Sequence, residues 1–229
     1  MKLPIIRPTL PPREEVAREI EESWRTGTVT VGARTRELEG EAARALGVRE
    51  AIAVSSCTAG LMLVPQALEL PPEGEVLLPS FTFTATGQPL LWNRLVPVFC
   101  DCRPGTLTLD PEDVLRNVTA KTVAICAATV YGLPPDVDEL ADVGRRKGLP
   151  VYYDSAQGLG ATVRDRPVGG FGVCETFSLS PTKVVTAIEG GLVTTNDATL
   201  AARFRAMRDY GKDPNGGIRN NRSVSSSIS

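Results

Sequence analysis

The sequence of 229 residues contains no histidine. Catalytic triads that use histidine, zinc sites with imidazole ligands and general-base catalysis by histidine are therefore excluded within this chain. Any proton transfer that the chain performs must come from Lys, Asp, Glu or Tyr side chains, or from a bound cofactor.

Other features are missing or scarce as well. No run approaches the roughly 18 apolar residues that span a bilayer, and residues 1–8 have no apolar run of signal-peptide length. The five cysteines form no C-x-x-C pair, and an odd number suits a disulfide framework poorly. The net charge of −2 predicts no binding to nucleic acid or to an anionic membrane. Together these absences indicate a cytoplasmic globular protein.

Strand-like and helix-like segments alternate along the chain. Short apolar runs that are typical of buried strands lie at 51–54, 75–78, 96–100, 122–127, 151–153 and 192–194. Helical patterns lie between them at 34–46 and 136–147, and a last one follows a cap at Asn196 or Asp197. This alternation predicts a mostly parallel sheet with helices on both faces. Ligands of such sheets bind beyond the carboxyl ends of the strands.

A cluster of small and hydroxyl residues, 55–60, comes directly after the first of these strands. Backbone N–H groups at a strand-to-helix turn, together with the partial positive charge of the helix start, suit a phosphate. A plain Ser/Thr helix cap is the alternative interpretation.

Two further residues stand at positions where ligands are expected. Asp154 ends the run 151–153, and an ionised carboxylate there must be solvated, paired or in use, since burying it unpaired is costly. A pyridinium nitrogen is one such partner, and capping of the next turn is the alternative. Lys183 follows an apolar stretch among hydroxyl residues, with Gly190 and Gly191 nearby. Desolvation would activate a lysine that attacks a carbonyl; a plain surface lysine is the alternative.

The three motifs occur in the chain order used by pyridoxal-phosphate (PLP) enzymes of the aspartate-aminotransferase type. Together they resemble the DegT/DnrJ/EryC1/StrS family of PLP-dependent sugar aminotransferases, over about residues 4–211. Further segments that carry the resemblance are 25–30, 79–86, 97–101, 131–134, 177–183 and 190–197. The resemblance implies the large domain of a fold type I PLP-dependent transferase, an α/β fold with a mostly parallel seven-stranded sheet flanked by helices.

Carried over position by position, the resemblance implies contacts with the cofactor. Thr58 and Ala59 would bind the phosphate, with Ser178 as a further phosphate ligand. Phe83 would stack on the cofactor ring, and Gln157 would lie beside the ring and its 3-hydroxyl.

The remaining roles concern chemistry and assembly. Asp154 would hold the pyridinium N–H and make the ring a better electron sink. Lys183 would hold the cofactor covalently and later move the proton between the substrate carbon and the cofactor carbon. Asn220 lies in a stretch that resembles the family's Gly-x-Asn-x-Arg segment, with one extra residue after Gly217. It would reach the cofactor phosphate of a partner subunit.

Two residue positions and the extent of the chain depart from the family pattern, and these three departures affect the expectations. No histidine follows Gln157, and Cys57 replaces the glycine of the family's Ser-Gly-Thr loop, where the backbone must approach the phosphate. We also expect an N-terminal segment over 1–30, the PLP-binding large domain over 31–211, and a short tail over 212–229 where the family's small domain would begin. The site would then be completed in a homodimer, or in a heterodimer with a homologous chain that supplies that domain.

Two functions fit these features. The first is a PLP-dependent aminotransferase that transfers an amino group from glutamate or glutamine to a keto-sugar or keto-cyclitol, in secondary-metabolite or cell-surface sugar biosynthesis. The second is a non-catalytic or regulatory subunit of a heteromeric PLP enzyme. Lys183, Asp154 and Gln157 together favour chemistry. Lys183 also argues against the family's sugar-dehydrating branch, in which histidine replaces this lysine.

Overall fold

The computed structural model describes residues 8–212. Its helices are α1 Arg13–Thr26, α2 Ala33–Leu46, α3 Cys57–Ala67, α4 Thr84–Trp92, α5 Pro111–Asn117, α6 Val137–Lys147 and α7 Ala198–Arg208. Its strands are β1 Glu50–Val54, β2 Glu75–Pro79, β3 Val96–Cys100, β4 Thr122–Ala128, β5 Val151–Asp154, β6 Thr162–Val163, β7 Arg166–Pro167, β8 Glu175–Ser178 and β9 Gly191–Thr195. Among these residues, no helix is both long enough and apolar enough to cross a membrane.

One seven-stranded sheet has the order β1-β9-β8-β5-β4-β2-β3, and β6 pairs with β7 in a separate hairpin. β9 runs antiparallel to both of its neighbours, and the other pairs in the large sheet are parallel. The predicted fold class is therefore confirmed. The six strands predicted from apolar runs are all present, with ends that differ by at most one residue.

β8 was not among the strands predicted from apolar runs. Its sequence, Glu-Thr-Phe-Ser, is mostly polar, yet all four residues are buried. The polar side chains find partners inside the protein: Glu175 accepts a hydrogen bond from Ser155, and Thr176 donates one to the carbonyl of Tyr153. A strand whose polar groups are satisfied internally gives no apolar signal in the sequence.

Side chains of the central strands alternate between two cores. Val76 and Leu78 of β2 pack with α3, α4 and α7, whereas Leu77 between them packs with α5 and α6 on the opposite face. α2 covers a third cluster beside β8 and β9. This arrangement is the three-layer packing expected when both faces of a sheet are buried.

Capping side chains set the ends of the predicted helices. Asp136 accepts a hydrogen bond from the amide of Glu139 at the start of α6, and Gly148 ends that helix with a φ of 67°. Asp197, rather than Asn196, caps α7 by accepting from two backbone amides. Asn196 instead accepts from the amide of Arg49 next to β1. Both helices agree with the sequence prediction.

The outer edge of β1 is covered by side chains rather than by another strand. Glu39 of α2 accepts a hydrogen bond from the amide of Ala53, and Arg208 of α7 donates to the carbonyl of the same residue. Glu39 and Arg208 also form an ion pair with each other, and both side chains are largely buried. Polar groups of an edge strand that are satisfied in this way are not available for pairing with another chain.

We expect Glu39→Ala to lower the free energy of unfolding by about 3–5 kcal/mol, because it leaves the buried Arg208 charge without its partner. Urea unfolding followed by circular dichroism measures this loss. Asp142→Ala removes an exposed ion pair with Arg145 and serves as the control, with an expected loss within about 1 kcal/mol. Equal losses in the two variants would contradict the role assigned to the Glu39–Arg208 pair.

Candidate active site

The predicted ligand positions meet at one edge of the sheet. β1, β5 and β8 are mutually parallel, so their carboxyl ends lie on the same side. The hydroxyl-rich turn follows β1, Asp154 ends β5, and Ser178 ends β8. The structure therefore brings together residues that are about 120 positions apart in the chain.

The start of α3 has the properties of an anion site. Ser56 caps the helix, and its hydroxyl accepts from the amide of Ala59 at 3.0 Å. Within residues 8–212, the amide of Thr58 has no hydrogen-bond acceptor. A Cβ atom added to Gly191 would lie 2.5 Å from the amide nitrogen of Cys57, so only glycine lets β9 approach this turn.

Cys57 is accommodated in the protein interior. Its side chain is buried, and its sulfur lies 3.7 Å from Asp154 Oδ1 and 3.5 Å from Thr176 Oγ1. Burial, followed by the charge of Asp154, raises the pKa of the thiol well above its ordinary value. The side chain that replaces the family's glycine is therefore a neutral thiol that packs beneath the turn.

Asp154 is a buried carboxylate with three hydrogen-bond donors. Thr86 donates to Oδ2 at 2.6 Å, while the amide of Ala156 at 3.1 Å and the thiol of Cys57 donate to Oδ1. Burial raises the pKa of Asp154 above its ordinary value, whereas the three donors and the positive charge of Lys183 act to lower it. The site thus combines a desolvated acid with groups that favour its ionised form.

Lys183 lies half-buried in the loop that joins β8 to β9. Its backbone amide donates to the carbonyl of Ser180, and the amide of Ala187 returns to the carbonyl of Leu179, so the loop is folded back on itself. The charge of the Lys183 side chain acts on both Asp154 and Cys57. Lys183 follows β8 at the carboxyl edge of the sheet, the same edge at which Asp154 ends β5 and α3 begins.

Gln157 and Tyr131 form the next part of the site. The side-chain oxygen of Gln157 accepts from the amide of Tyr131 at 2.5 Å, and Tyr131 has a positive φ of 51°. The ring of Tyr131 meets that of Phe81 edge-on, with centroids 6.4 Å apart. Phe83 is 76% exposed at the start of α4. These aromatic residues follow β2 and β4, at the carboxyl edge of the sheet where Asp154 also lies.

Ser178 ends β8 with its side chain largely buried. Its hydroxyl oxygen accepts from the amide of Ser180 at 3.3 Å, which leaves its own proton available to an acceptor at the sheet edge. Asn220 lies outside the described residues, so its predicted contact across a dimer stays a prediction.

Some residues of the site had not been identified from the sequence. Thr86 contacts Asp154 only because β2 and β5 flank β4, which places the first turn of α4 above the end of β5. One carboxylate oxygen of Glu175 accepts a hydrogen bond from the hydroxyl of Ser155, and the other accepts from the amides of Gly169 and Phe171. No local pattern marks these residues, because Thr86 and Asp154 are 68 positions apart in the chain and Glu175 and Ser155 are 20 apart.

Relatives of known activity match most of the chain. The "GDP-perosamine synthase" of Caulobacter vibrioides is 38% identical over 81% of this chain and 50% of its own length. The "L-glutamine:2-deoxy-scyllo-inosose aminotransferase" of Streptomyces fradiae is 40% identical over 72% of this chain and 39% of its own length. The chain spans about half the length of the curated relatives it matches.

A solved structure and a family model match this chain as well. The PLP form of a sugar aminotransferase described as putative, from Streptococcus pneumoniae, superimposes with a TM-score of 0.84 at 26% identity, over 90% of this chain and 57% of that chain. The model of the DegT/DnrJ/EryC1/StrS aminotransferase family matches residues 12–226. This chain is therefore a member of the DegT/DnrJ/EryC1/StrS aminotransferase family.

Proposed function

We propose that this chain, alone or as a subunit of an assembly, is a PLP-dependent aminotransferase. The observation that supports this most is that Lys183 follows β8 at the same edge of the sheet at which Asp154, a buried carboxylate, ends β5. In the net reaction, the amino group and one hydrogen leave the α-carbon of glutamate or glutamine and are gained by the carbonyl carbon of the acceptor. The acceptor's carbonyl oxygen is exchanged for them, so the donor becomes a 2-oxo acid.

The residues present fit PLP. The start of α3, where the amide of Thr58 has no acceptor among residues 8–212, suits a phosphate dianion, and the hydroxyl of Ser178 adds a donor at the same edge. Asp154 suits the ring nitrogen, since a buried carboxylate is stabilised by a cationic N–H partner. When bound, PLP supplies a reactive carbonyl and an electron-accepting ring.

Each residue then has a separate task. Lys183 Nζ would hold the cofactor covalently and, when free, would be the base that moves the proton between the substrate carbon and the cofactor carbon. Asp154 would hold the ring N–H, and its negative charge would favour the protonated ring, the better electron acceptor. Gln157, whose side-chain oxygen accepts from the amide of Tyr131, would lie beside the cofactor ring and its 3-hydroxyl.

The acceptor is inferred from the relatives. Their names include a GDP-sugar enzyme, UDP-sugar aminotransferases and a glutamine-dependent enzyme that acts on a keto-cyclitol. We therefore assign a keto-sugar, carried on a nucleotide, or a keto-cyclitol as the acceptor class.

A second protein surface completes the site. Tyr131 is 80%, Val184 86% and Ile188 66% exposed, although Val184 and Ile188 share the β8–β9 loop with Lys183 and the amide of Tyr131 is bonded to Gln157. Apolar side chains clustered on a surface are typical of an interface. We assign this surface to contact with a second copy of the chain or with a homologous chain.

The cofactor assignment predicts where a covalent label will appear. After incubation with PLP and reduction with borohydride, peptide mapping should place the phosphopyridoxyl group on Lys183, because this lysine follows β8 at the sheet edge where Asp154 ends β5 and α3 begins. Lys183→Ala should lose the label while it keeps its circular dichroism spectrum. Labelling mainly at Lys147 or Lys121 in the folded protein would contradict the assignment.

Asp154→Asn should reduce the rate of amino transfer in a single turnover on the order of 100-fold, with a smaller effect on PLP occupancy, since a neutral amide supports a protonated ring nitrogen poorly. Rapid-scan absorbance with glutamate as the donor measures this rate. Asp142→Asn, on the exposed face of α6, is the matched control and should react at the normal rate. An unchanged rate in fully loaded Asp154→Asn would remove this residue from the role.

Ile188→Glu should weaken association of the chain, because it puts a charge into the proposed interface. Analytical ultracentrifugation with the chain alone, and with the product of an adjacent gene, measures the oligomeric state. Leu91→Glu changes a similarly exposed apolar residue at the far end of α4 and should have no effect. A wild-type chain that stays monomeric in both experiments and still transfers amino groups would refute this assembly.

A further inference from the structure

Thr86 occupies a position that the proposed mechanism has not yet used. It lies in the first turn of α4, is 1% exposed, and donates to Asp154 Oδ2 at 2.6 Å. A second hydroxyl, that of Thr82, lies 2.7 Å from the Thr86 hydroxyl. The two threonines therefore form a short hydrogen-bonded chain that leads from the half-buried Thr82 to the buried carboxylate.

The direction of this chain depends on the proton of Asp154. A threonine hydroxyl has one proton to donate, and an ionised carboxylate can only accept. When Asp154 is ionised, Thr86 must donate to it, and Thr82 must then donate to Thr86. When Asp154 carries its proton on Oδ2, its own O–H competes for the Thr86 oxygen and the Thr86 hydroxyl no longer donates to it; with the proton on Oδ1, Oδ2 accepts as a neutral and weaker acceptor. The arrangement in which both hydroxyls point toward Asp154 thus stabilises its ionised form.

We propose that Thr86, oriented by Thr82, is a positioning residue that holds Asp154 ionised and directed at its ligand. The hydrogen bond from Thr86 is the shortest of the three to this carboxylate. Hydrogen bonds to a charged group in a desolvated place are stronger than those between neutral groups. The inference rests on the proposed function only for the identity of the ligand, since the state of the carboxylate belongs to the chain itself.

Other groups that face Asp154 set the background for this effect. Cys57 of α3, Cys126 of β4, Tyr152 of β5 and Lys183 of the β8–β9 loop all interact with its charge. The high pKa values of the two thiols and of the tyrosine keep these three groups neutral near neutral pH. Lys183 is present in all the variants below, so a difference between them reports the hydroxyl groups.

The first test uses the chain without cofactor. Infrared titration of the carboxylic C=O band, assigned to Asp154 by its loss in Asp154→Asn, follows the proton directly and separates it from the buried Glu175. In Thr86→Val, Asp154 should keep its proton to a higher pH than in the wild type, because a donor to the ionised form is gone. Thr86→Ser should restore the wild-type midpoint, and Thr82→Val should shift it less, in the same direction as Thr86→Val.

A matched control separates positioning from packing. Thr194 is also a buried threonine, and its hydroxyl donates to the carbonyl of Gly169 away from Asp154. Thr194→Val should lower stability without moving the Asp154 titration. Superimposable titrations of wild type, Thr86→Val and Thr82→Val would overturn the proposal, as would an equal shift in Thr194→Val.

The second test adds PLP. The dissociation constant of PLP should rise about tenfold or more in Thr86→Val and recover in Thr86→Ser, in line with the loss of one charge-assisted hydrogen bond. An Asp154 titration that is shifted in Thr86→Val, together with a wild-type chain that binds no PLP, would support the positioning role while refuting the proposed function. Normal PLP binding with no shift of the titration in either threonine variant would refute the positioning role alone.

Discussion

A carboxylate buried at the end of β5 imposes conditions on the elements around it. Removing the charge of Asp154 from water is costly, so hydrogen-bond donors must be brought to it from elsewhere in the fold. They come from α3 through Cys57, from α4 through Thr86 and from the turn after β5 through Ala156. The sheet order makes this possible, because it places the starts of these helices beside the end of a central strand. The geometry of the candidate site is thus set by the requirement to stabilise one charge.

Much of this fold could be predicted from the sequence because both sheet faces are buried. Strands such as β2 and β4 appear as continuous apolar runs, and helices such as α6 have an apolar stripe with clear caps. β8 was missed because its stability comes from internal hydrogen bonds of Glu175 and Thr176, which have no signature in a local window. The seven-stranded sheet was obtained from the family resemblance, not from the apolar pattern.

The residues of the candidate site also fall into those that the sequence predicted and those that it did not. Lys183, Asp154 and the turn after β1 were identified because they belong to three motifs whose order along the chain resembles that of the family. Thr86 could not be identified, because the contact that makes it relevant joins residues 68 positions apart. Cys57 is visible in the sequence, but no local pattern indicates that its side chain packs in the interior against Thr176. Contacts across the sheet depend on strand order, which the sequence pattern alone does not determine.

The reversed direction of β9 also determines how the lysine loop is anchored. Two neighbouring parallel strands need a crossover connection that runs back along the full length of the strands. β8 and β9 are antiparallel neighbours, so the loop between them leaves and returns at the same edge of the sheet. Its two ends are joined by the hydrogen bond from Leu179 to Gly190. Closing such a loop costs little further entropy, since the sheet already holds its ends together. Lys183 can therefore change position through local backbone rotations, while the hydrogen bonds of the sheet stay intact.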